Sequence, residues 1–131
     1  MAEVAARRDG QQAVIALDGR PVGYLGWQNP TRNELAEAGL DDLPPELVDV
    51  DIMIGEQGAT GLGVGPAALR ILFGRLRTGG ATLAGLAGAV ANRRAMRAYE
   101  KAGCLGFRDF AENGETYRYF LIDLDSPERR V

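Results

Sequence analysis

Short apolar segments separated by polar turns make up the first third of the chain. Gln12–Leu17 and Val22–Trp27 flank Asp18-Gly19, a dipeptide that favours the tight turn of a β-hairpin. We therefore predict two antiparallel strands at these positions. The polar, proline-containing segment Asn29–Pro45 predicts a loop with one helical turn over Glu34–Ala38.

Aliphatic residues alternate with aspartates in Val48–Ile54, which predicts a strand with Asp49 and Asp51 on one face and aliphatic side chains on the other. An amphipathic helix is predicted over Pro66–Arg77, because proline suits a first turn and apolar residues recur at helical spacing. Its predicted core positions are Leu69, Leu72, Phe73 and Leu76. We expect Gly79-Gly80 to end this helix.

The second half of the chain continues with a predicted buried strand over Ala81–Ala87 and a second helix over Arg93–Ala102. Leu105–Phe110 and Thr116–Asp123 predict a final hairpin, since Asn113-Gly114 lies in the turn between them. This order of elements predicts a single α/β (α+β) domain.

Composition limits the class of protein. The chain has 131 residues, of which 46% are hydrophobic, and this suffices for one domain with one core. We assign residues 1–131 to that domain, with 1–11 as a short N-terminal extension and 125–131 as a tail. No apolar run approaches the roughly 20 residues of a membrane span, and residues 1–8 lack the apolar part of a secretory signal, so we expect a cytoplasmic protein.

Charged and metal-binding residues narrow the choice further. The chain has no histidine and one cysteine, Cys104, so neither an internal disulfide nor a transition-metal site is expected. With a net charge of −3, no nucleic-acid partner is predicted. The charged side chains of residues 33–57 are all acidic, whereas those of residues 58–99 are all arginines. This asymmetry suits a polyanionic cofactor beside a cationic acceptor, although solvated faces of unrelated elements would give the same pattern.

Two segments carry the candidate chemistry. Gly61-Leu62-Gly63-Val64-Gly65 opens the first long helix with backbone N–H groups that can hold a phosphate. A dinucleotide-binding fold also has glycines at such a turn, but the glycine spacing differs here and the acid expected after it is absent. The second segment is Asn92–Gly103, in which Tyr99 lies on a helix and could protonate a leaving thiolate.

These segments resemble the Gcn5-related N-acetyltransferases (GNAT), and within them the aminoglycoside 6'-N-acetyltransferase-like branch. The resemblance extends over residues 12–123 and rests on three stretches in order, Asp51–Glu56, Gly61–Gly65 with Ala68-Leu69, and Asn92–Gly103. It implies a mixed, mostly antiparallel sheet with helices on both faces. It also implies acetyl-CoA as cosubstrate and a small-molecule amine as acceptor.

The resemblance assigns the cofactor to two places. The strand that ends near Ile54 is expected to splay from its neighbour and admit the pantetheine arm, and the glycine loop is expected to bind the pyrophosphate. The cofactor-binding residues implied in this way are Ile52, Met53, Ile54, Leu62, Gly63, Val64, Gly65 and Asn92, of which Asn92 also suits a helix cap. Arg70, Arg93 and Arg94 are candidates for the outer phosphate, although helix arginines are commonly just solvated.

The resemblance also implies an acid and a base. Tyr99 is expected to protonate the departing thiolate, since a phenol keeps its proton at neutral pH; simple packing on the sheet is the alternative. Asp51 is expected to receive the proton of the acceptor amine, with Asp49 or Glu56 next in order, and cation binding would explain these carboxylates equally well. Asp49, Glu56 and Trp27 are predicted to contact the acceptor, although Trp27 also suits core packing.

The chain departs from the family pattern at its start. Family members carry a further strand and one or two helices before the position of Gln12, so we expect an N-terminally truncated fold in which Gln12–Leu17 is an exposed edge. A partner subunit, in a homodimer, would cover that edge. Two functions stay open: acetyl transfer from acetyl-CoA to a primary amine of a small cationic acceptor, and a non-catalytic CoA-binding module with a degenerate fold.

Overall fold

The structure is a computed structural model that describes residues 2–6, 11–55 and 63–125. Within these residues, seven strands and three helices follow one another along the chain. The strands are β1 (Ala2–Ala6), β2 (Gln12–Leu17), β3 (Arg20–Gln28), β4 (Val48–Ile54), β5 (Leu83–Ala89), β6 (Leu105–Glu112) and β7 (Glu115–Asp123). The helices are α1 (Arg32–Glu37), α2 (Val64–Thr78) and α3 (Arg93–Lys101). None of these three helices combines the length and the hydropathy needed to cross a membrane.

Turn residues locate both hairpins where the sequence predicts them. Asp18 and Gly19 have positive φ angles of 52° and 80°, and Asn113 and Gly114 have φ angles of 52° and 78°. Two consecutive positive φ angles are typical of the type I′ turn, whose twist matches that of the strands it joins. The predicted pairing of β2 with β3 and of β6 with β7 is confirmed.

The strands form one sheet in the order β1-β2-β3-β4-β5-β7-β6. All neighbours are antiparallel except β4 and β5, which run parallel. The register of this parallel pair joins only Val48 to Ala84 and Asp49 to Gly85. Beyond Asp49 the two strands therefore diverge, while each keeps an antiparallel partner on its other side. The mixed, mostly antiparallel sheet is confirmed, and the divergence is the splay that the resemblance implies.

Helices cover both faces of the sheet, as expected. On one face, α2 and α3 pack on a core that includes Leu25, Val50 and Phe120. On the other face, the segment from α1 to β4 packs a smaller core that includes Leu35 and Tyr119. We call these the α2/α3 face and the α1 face. The aspartates of β4 alternate with its buried valines and therefore belong to the α1 face.

Several element boundaries lie within one or two residues of their predicted positions. α2 begins at Val64 rather than Pro66, because Gly63 occupies the position before the helix. Such differences between predicted and observed boundaries are of the size expected for helix and strand ends.

A capping box stabilises α1. The Glu34 N–H donates a hydrogen bond of 3.1 Å to the Thr31 side chain, and the Thr31 N–H donates one of 2.8 Å to the Glu34 side chain.

The prediction that Gln12–Leu17 is an exposed edge is wrong. Ala2–Ala6 forms β1 and pairs antiparallel with β2, so a strand precedes Gln12 and the edge expected to be exposed is covered by the chain itself. Val4 lies opposite Ile15 and is buried in the main core. Alanine has a low strand propensity, so this alanine-rich segment carries no strand signal of its own and is ordered by pairing. The argument for a homodimer, which rested on an uncovered β2, is thereby removed.

Candidate active site

A cleft of about 380 Å³ opens where β4 and β5 diverge, between the carboxyl end of β4, the N-terminus of α2 and one side of α3. Several predicted residues line it, namely Ile52, Ile54, Gly63, Val64, Gly65, Asn92, Arg94 and Tyr99. The lining residues that sequence reasoning missed are Pro66, Leu69, Ala95, Arg97, Ala98 and Lys101. The described part of the glycine loop, Gly63–Gly65, and the helix that carries Tyr99 therefore line the same cleft.

The start of α2 forms one wall of the cleft. Gly63 precedes the helix with a φ of 72°, a left-handed conformation that glycine adopts without strain. The first turn contains no acidic residue, and since Pro66 has no N–H, its amides come from Val64 and Gly65. The helix dipole favours an anion at this position. The predicted residues Leu62 and Glu56 lie outside the described residues.

Three cations of α3 line the facing wall. Arg94, Arg97 and Lys101 are three and four residues apart, so they share one side of the helix, and all are exposed. Asn92 caps this helix, since its side-chain oxygen accepts a hydrogen bond of 3.1 Å from the N–H of Ala95. The cap that the sequence suggested for Asn92 is therefore present at the rim of the cleft. A wall of this charge suits a ligand with several phosphates.

Two residues predicted to bind the cofactor have other positions. The guanidinium of Arg70 donates a hydrogen bond of 2.6 Å to the backbone carbonyl of Lys101, which ties α2 to the end of α3. Met53 alternates with Ile52 and Ile54 and is 61% exposed on the α1 face. Neither the Arg70 nor the Met53 side chain therefore lines the cleft.

Tyr99 lies in the wall of the cleft with only 7% of its surface exposed. Its ring packs edge-on against Phe120 at a centroid distance of 5.4 Å, and its hydroxyl is 3.5 Å from the carbonyl oxygen of Ala87 in β5. Burial raises the pKa of Tyr99, and electrostatic interactions with Cys104 and Asp51 add to the rise. The phenol therefore stays protonated at neutral pH, as a general acid must before it donates.

Two carboxylates lie on the opposite, α1 face of the sheet. Asp49 is the last β4 residue in register with β5, and Asp51 is the next on the same face. The Tyr119 hydroxyl donates a hydrogen bond of 2.8 Å to Asp49 Oδ1. The pKa of Asp49 is raised to about 6. Burial is the largest cause of this rise, the Tyr119 hydrogen bond acts against it, and the charges of Asp51 and Glu34 add to it. Asp49 is partly buried and Asp51 is exposed.

Trp27 lies on the other side of the sheet from these carboxylates. It is the partner of Val50 in the β3–β4 register and packs against the main core. Residues paired across antiparallel strands share a face, so Trp27 belongs to the α2/α3 face and Asp49 to the α1 face. The structure therefore favours core packing over acceptor contact for Trp27.

The site residues that the sequence analysis did not identify differ in whether a local sequence signal points to them. Arg97 and Lys101 could have been found, because they continue the helical spacing that begins at Arg94. Tyr119 carries no local signal, since it is separated from Asp49 by 70 positions. In the described part of the chain, no three His, Cys, Asp or Glu side chains are grouped closely enough to hold a metal ion.

Comparison with known proteins gives a consistent architecture. The family described as acetyltransferase (GNAT) domain matches residues 1–111. Two structures of aminoglycoside acetyltransferase AAC(6')-Ib, one with coenzyme A and one with coenzyme A and kanamycin, have TM-scores of 0.74 and 22% identity to this chain. Each alignment covers 90% of this chain, and it covers 68% of the chain in the first structure and 69% of the chain in the second.

A third solved structure extends this likeness to a more distant protein. The Salmonella typhimurium protein yncA, with its cofactor acetyl-CoA, has a TM-score of 0.69 and 15% identity, and the alignment covers 88% of this chain and 65% of that one. Among curated proteins the sequence has no significant match. At these identities the structural likeness establishes the fold.

Proposed function

Because the chain belongs to the acetyltransferase (GNAT) family, whose domain matches residues 1–111, we propose that it transfers an acetyl group from acetyl-CoA to a primary amine of a small cationic acceptor. The observation that carries this proposal is the cleft at the divergence of β4 and β5. Its cations and the buried phenol of Tyr99 lie on the α2/α3 face, and the carboxylates of Asp49 and Asp51 lie on the α1 face. Cosubstrate and acceptor can therefore approach from opposite sides of the sheet.

Different parts of the cleft suit different parts of acetyl-CoA. The phosphates suit the first-turn amides of α2 and the three cations of α3. Ile52 and Ile54 supply an apolar wall. The stretch of β4 that β5 leaves unpaired offers backbone groups to the amides of pantetheine, in the way that an extended peptide adds to a sheet edge.

The reaction needs one base and one acid. The amine nitrogen attacks the thioester carbonyl carbon, a tetrahedral intermediate forms, and the nitrogen loses a proton to a carboxylate. The C–S bond then breaks, and the departing sulfur takes the phenolic proton of Tyr99. The products are the N-acetylated amine and free coenzyme A, without a covalent acyl-enzyme. The raised pKa of Tyr99 supports its role as the proton donor, since the phenol is protonated when the intermediate collapses.

The sequence favours Asp51 as the proton acceptor, whereas the burial of Asp49 in the structure favours Asp49. A general base works best when its pKa lies near the operating pH, and the pKa of Asp49 is about 6. Asp51 is exposed two residues further along the same face, where it suits the binding of an ammonium group. We therefore propose Asp49 as the base and Asp51 as a contact for the cationic acceptor.

Electrostatics support a cationic acceptor. Asp51 and Glu34, from separate elements, both act on Asp49 and raise its pKa, so the α1 face carries a concentrated negative potential beside the base. A positively charged amine is attracted to such a site. The structure of AAC(6')-Ib with coenzyme A and kanamycin makes aminoglycosides the first acceptors to test.

The test separates binding from turnover. Calorimetry measures acetyl-CoA binding, and release of the coenzyme A thiol measures acetylation of a panel of aminoglycosides, polyamines and lysine peptides. We expect turnover with at least one amine, and we expect Tyr99→Phe to lower kcat roughly 100-fold or more with little change in acetyl-CoA affinity. Acetyl-CoA binding without acetylation across the panel would instead support the non-catalytic module. An unchanged kcat in Tyr99→Phe would remove Tyr99 as the acid.

A further inference from the structure

Tyr119 reaches Asp49 across an intervening strand. Tyr119 lies in β7 and Asp49 in β4, with β5 between them in the sheet. The tyrosine ring passes over Gly85, the β5 residue in register with Asp49. A Cβ at Gly85 would lie 2.5 Å from the Tyr119 hydroxyl oxygen, so only glycine leaves room for the ring. The absence of a side chain at Gly85 thus allows the hydrogen bond of 2.8 Å from Tyr119 to Asp49 Oδ1.

We propose that Tyr119 is a positioning residue, whose hydroxyl holds the Asp49 carboxylate at the divergence of β4 and β5 and leaves its second oxygen to receive the proton of the acceptor amine. This inference rests on the proposed function. Tyr119 is 3% exposed, so no bulk water competes freely for its hydroxyl. Among the described residues, no hydrogen bond engages Asp49 Oδ2. Tyr119 thereby orients the base without contacting the reacting atoms.

The same hydroxyl opposes three influences that favour a protonated Asp49. Burial acts against the charged carboxylate, and so do the negative charges of Asp51 on the same strand and Glu34 on α1. The Tyr119 hydrogen bond from β7 stabilises the charged form. Burial and the charge of Asp49 raise the pKa of Tyr119, so its hydroxyl remains a donor through the working pH range. Loss of this hydroxyl should therefore raise the pKa of Asp49.

Tyr119→Phe isolates the hydroxyl from the packing of the ring. Phenylalanine keeps the aromatic ring in the smaller core, which also includes Leu35 and Leu47, so the fold should be retained. Tyr117→Phe is the matched control: Tyr117 lies on the same strand, its ring stacks on Phe110, and its hydroxyl makes no hydrogen bond within the described part of the chain. Both variants remove one phenolic oxygen from β7.

The experiment measures the Asp49 titration directly, by carbon-13 NMR of its side-chain carboxyl, and the pH profile of kcat/KM in parallel. A hydrogen bond to a charged group typically contributes about 1.5–3 kcal/mol, equivalent to a shift of roughly 1–2 pH units. In Tyr119→Phe we expect the Asp49 pKa and the acidic limb of the profile to move to higher pH together, by roughly 1 unit. In Tyr117→Phe both should stay in place.

A second variant guards against a folding defect in Tyr119→Phe. Incorporation of 3-fluorotyrosine at position 119 gives a more acidic phenol and a stronger donor, so the Asp49 pKa and the acidic limb should both move to lower pH. An active Tyr119→Phe variant with an unchanged Asp49 pKa would overturn the inference, and so would an Asp49 shift that the acidic limb does not follow. Lack of turnover by the unsubstituted protein on every amine would overturn the proposed function itself, which is a distinguishable result.

Discussion

A methyl group added at Gly88 tests whether the position of Tyr99 determines turnover. In Gly88→Ala, the new Cβ would lie 2.8 Å from Tyr99 Cε2 and 2.9 Å from Met96 Cε. Met96 can turn its terminal methyl group away, because its side chain is flexible. The Tyr99 ring is packed against Phe120 and must retreat by roughly 0.7 Å to restore an ordinary carbon contact.

The expected effect on catalysis exceeds the expected effect on binding. A catalytic group misplaced by about 1 Å can slow a reaction about 100-fold, so we expect Gly88→Ala to lower kcat roughly 10- to 100-fold. The acetyl-CoA dissociation constant should change little, because Gly88 does not line the cleft. Overpacking should lower the free energy of unfolding by about 1–3 kcal/mol.

The assay combines thiol-release kinetics, calorimetry and urea denaturation on the same protein samples. Gly74→Ala is the matched control, because a Cβ at this α2 position meets nothing within 4 Å. It should keep the parental kcat and stabilise the fold by about 0.5–1 kcal/mol, since alanine favours a helix interior over glycine. If Gly88→Ala keeps the parental kcat while its stability falls, the position of Tyr99 does not limit turnover and our reasoning about the acid is refuted.

Two further substitutions test the cleft and the N-terminal strand. Arg97→Ala should weaken acetyl-CoA binding about 5- to 10-fold at low ionic strength and less at high salt, whereas Arg70→Ala should not, because Arg70 bonds the backbone of Lys101. Calorimetry at two salt concentrations checks this, and equal losses would contradict the assigned cleft. Val4→Ala should lower the free energy of unfolding by about 2 kcal/mol, more than Val14→Ala, because Val4 is 6% exposed and Val14 is only partly buried. Equal losses on urea denaturation would contradict the packing of β1 into the core.

Local sequence signals account for much of the fold. The Asp18-Gly19 and Asn113-Gly114 turns need only the backbone preferences of four residues, so each hairpin can be located without knowledge of the rest of the chain. The apolar spacing of α2 likewise identifies its buried side. The two segments that line the cleft can also be identified from the sequence, because the glycine loop precedes α2 and Tyr99 lies on α3.

Non-local pairing accounts for the features that the sequence does not reveal. β1 is ordered by its partner strand rather than by its own propensity, so its alanines give no warning of a strand. The face occupied by Trp27 depends on the register between β3 and β4. These two strands are separated in sequence by a loop and a short helix, so local patterns do not determine that register. The contact between Tyr119 and Asp49 spans 70 positions and needs the strand order as well as a glycine at position 85.

The alternation within β4 determines which side of the sheet carries which chemistry. Val48 and Val50 are 8% and 2% exposed, so their burial sets the register of the strand and directs Asp49 to the α1 face. A slip of one residue would turn both aspartates into the main core, where an unpaired carboxylate is strongly disfavoured. Asp49, the proposed base, and Tyr99 consequently come from opposite faces and do not pair with each other. Because the pKa of Asp49 is about 6 and burial raises the pKa of Tyr99, a charged carboxylate and a protonated phenol coexist at neutral pH.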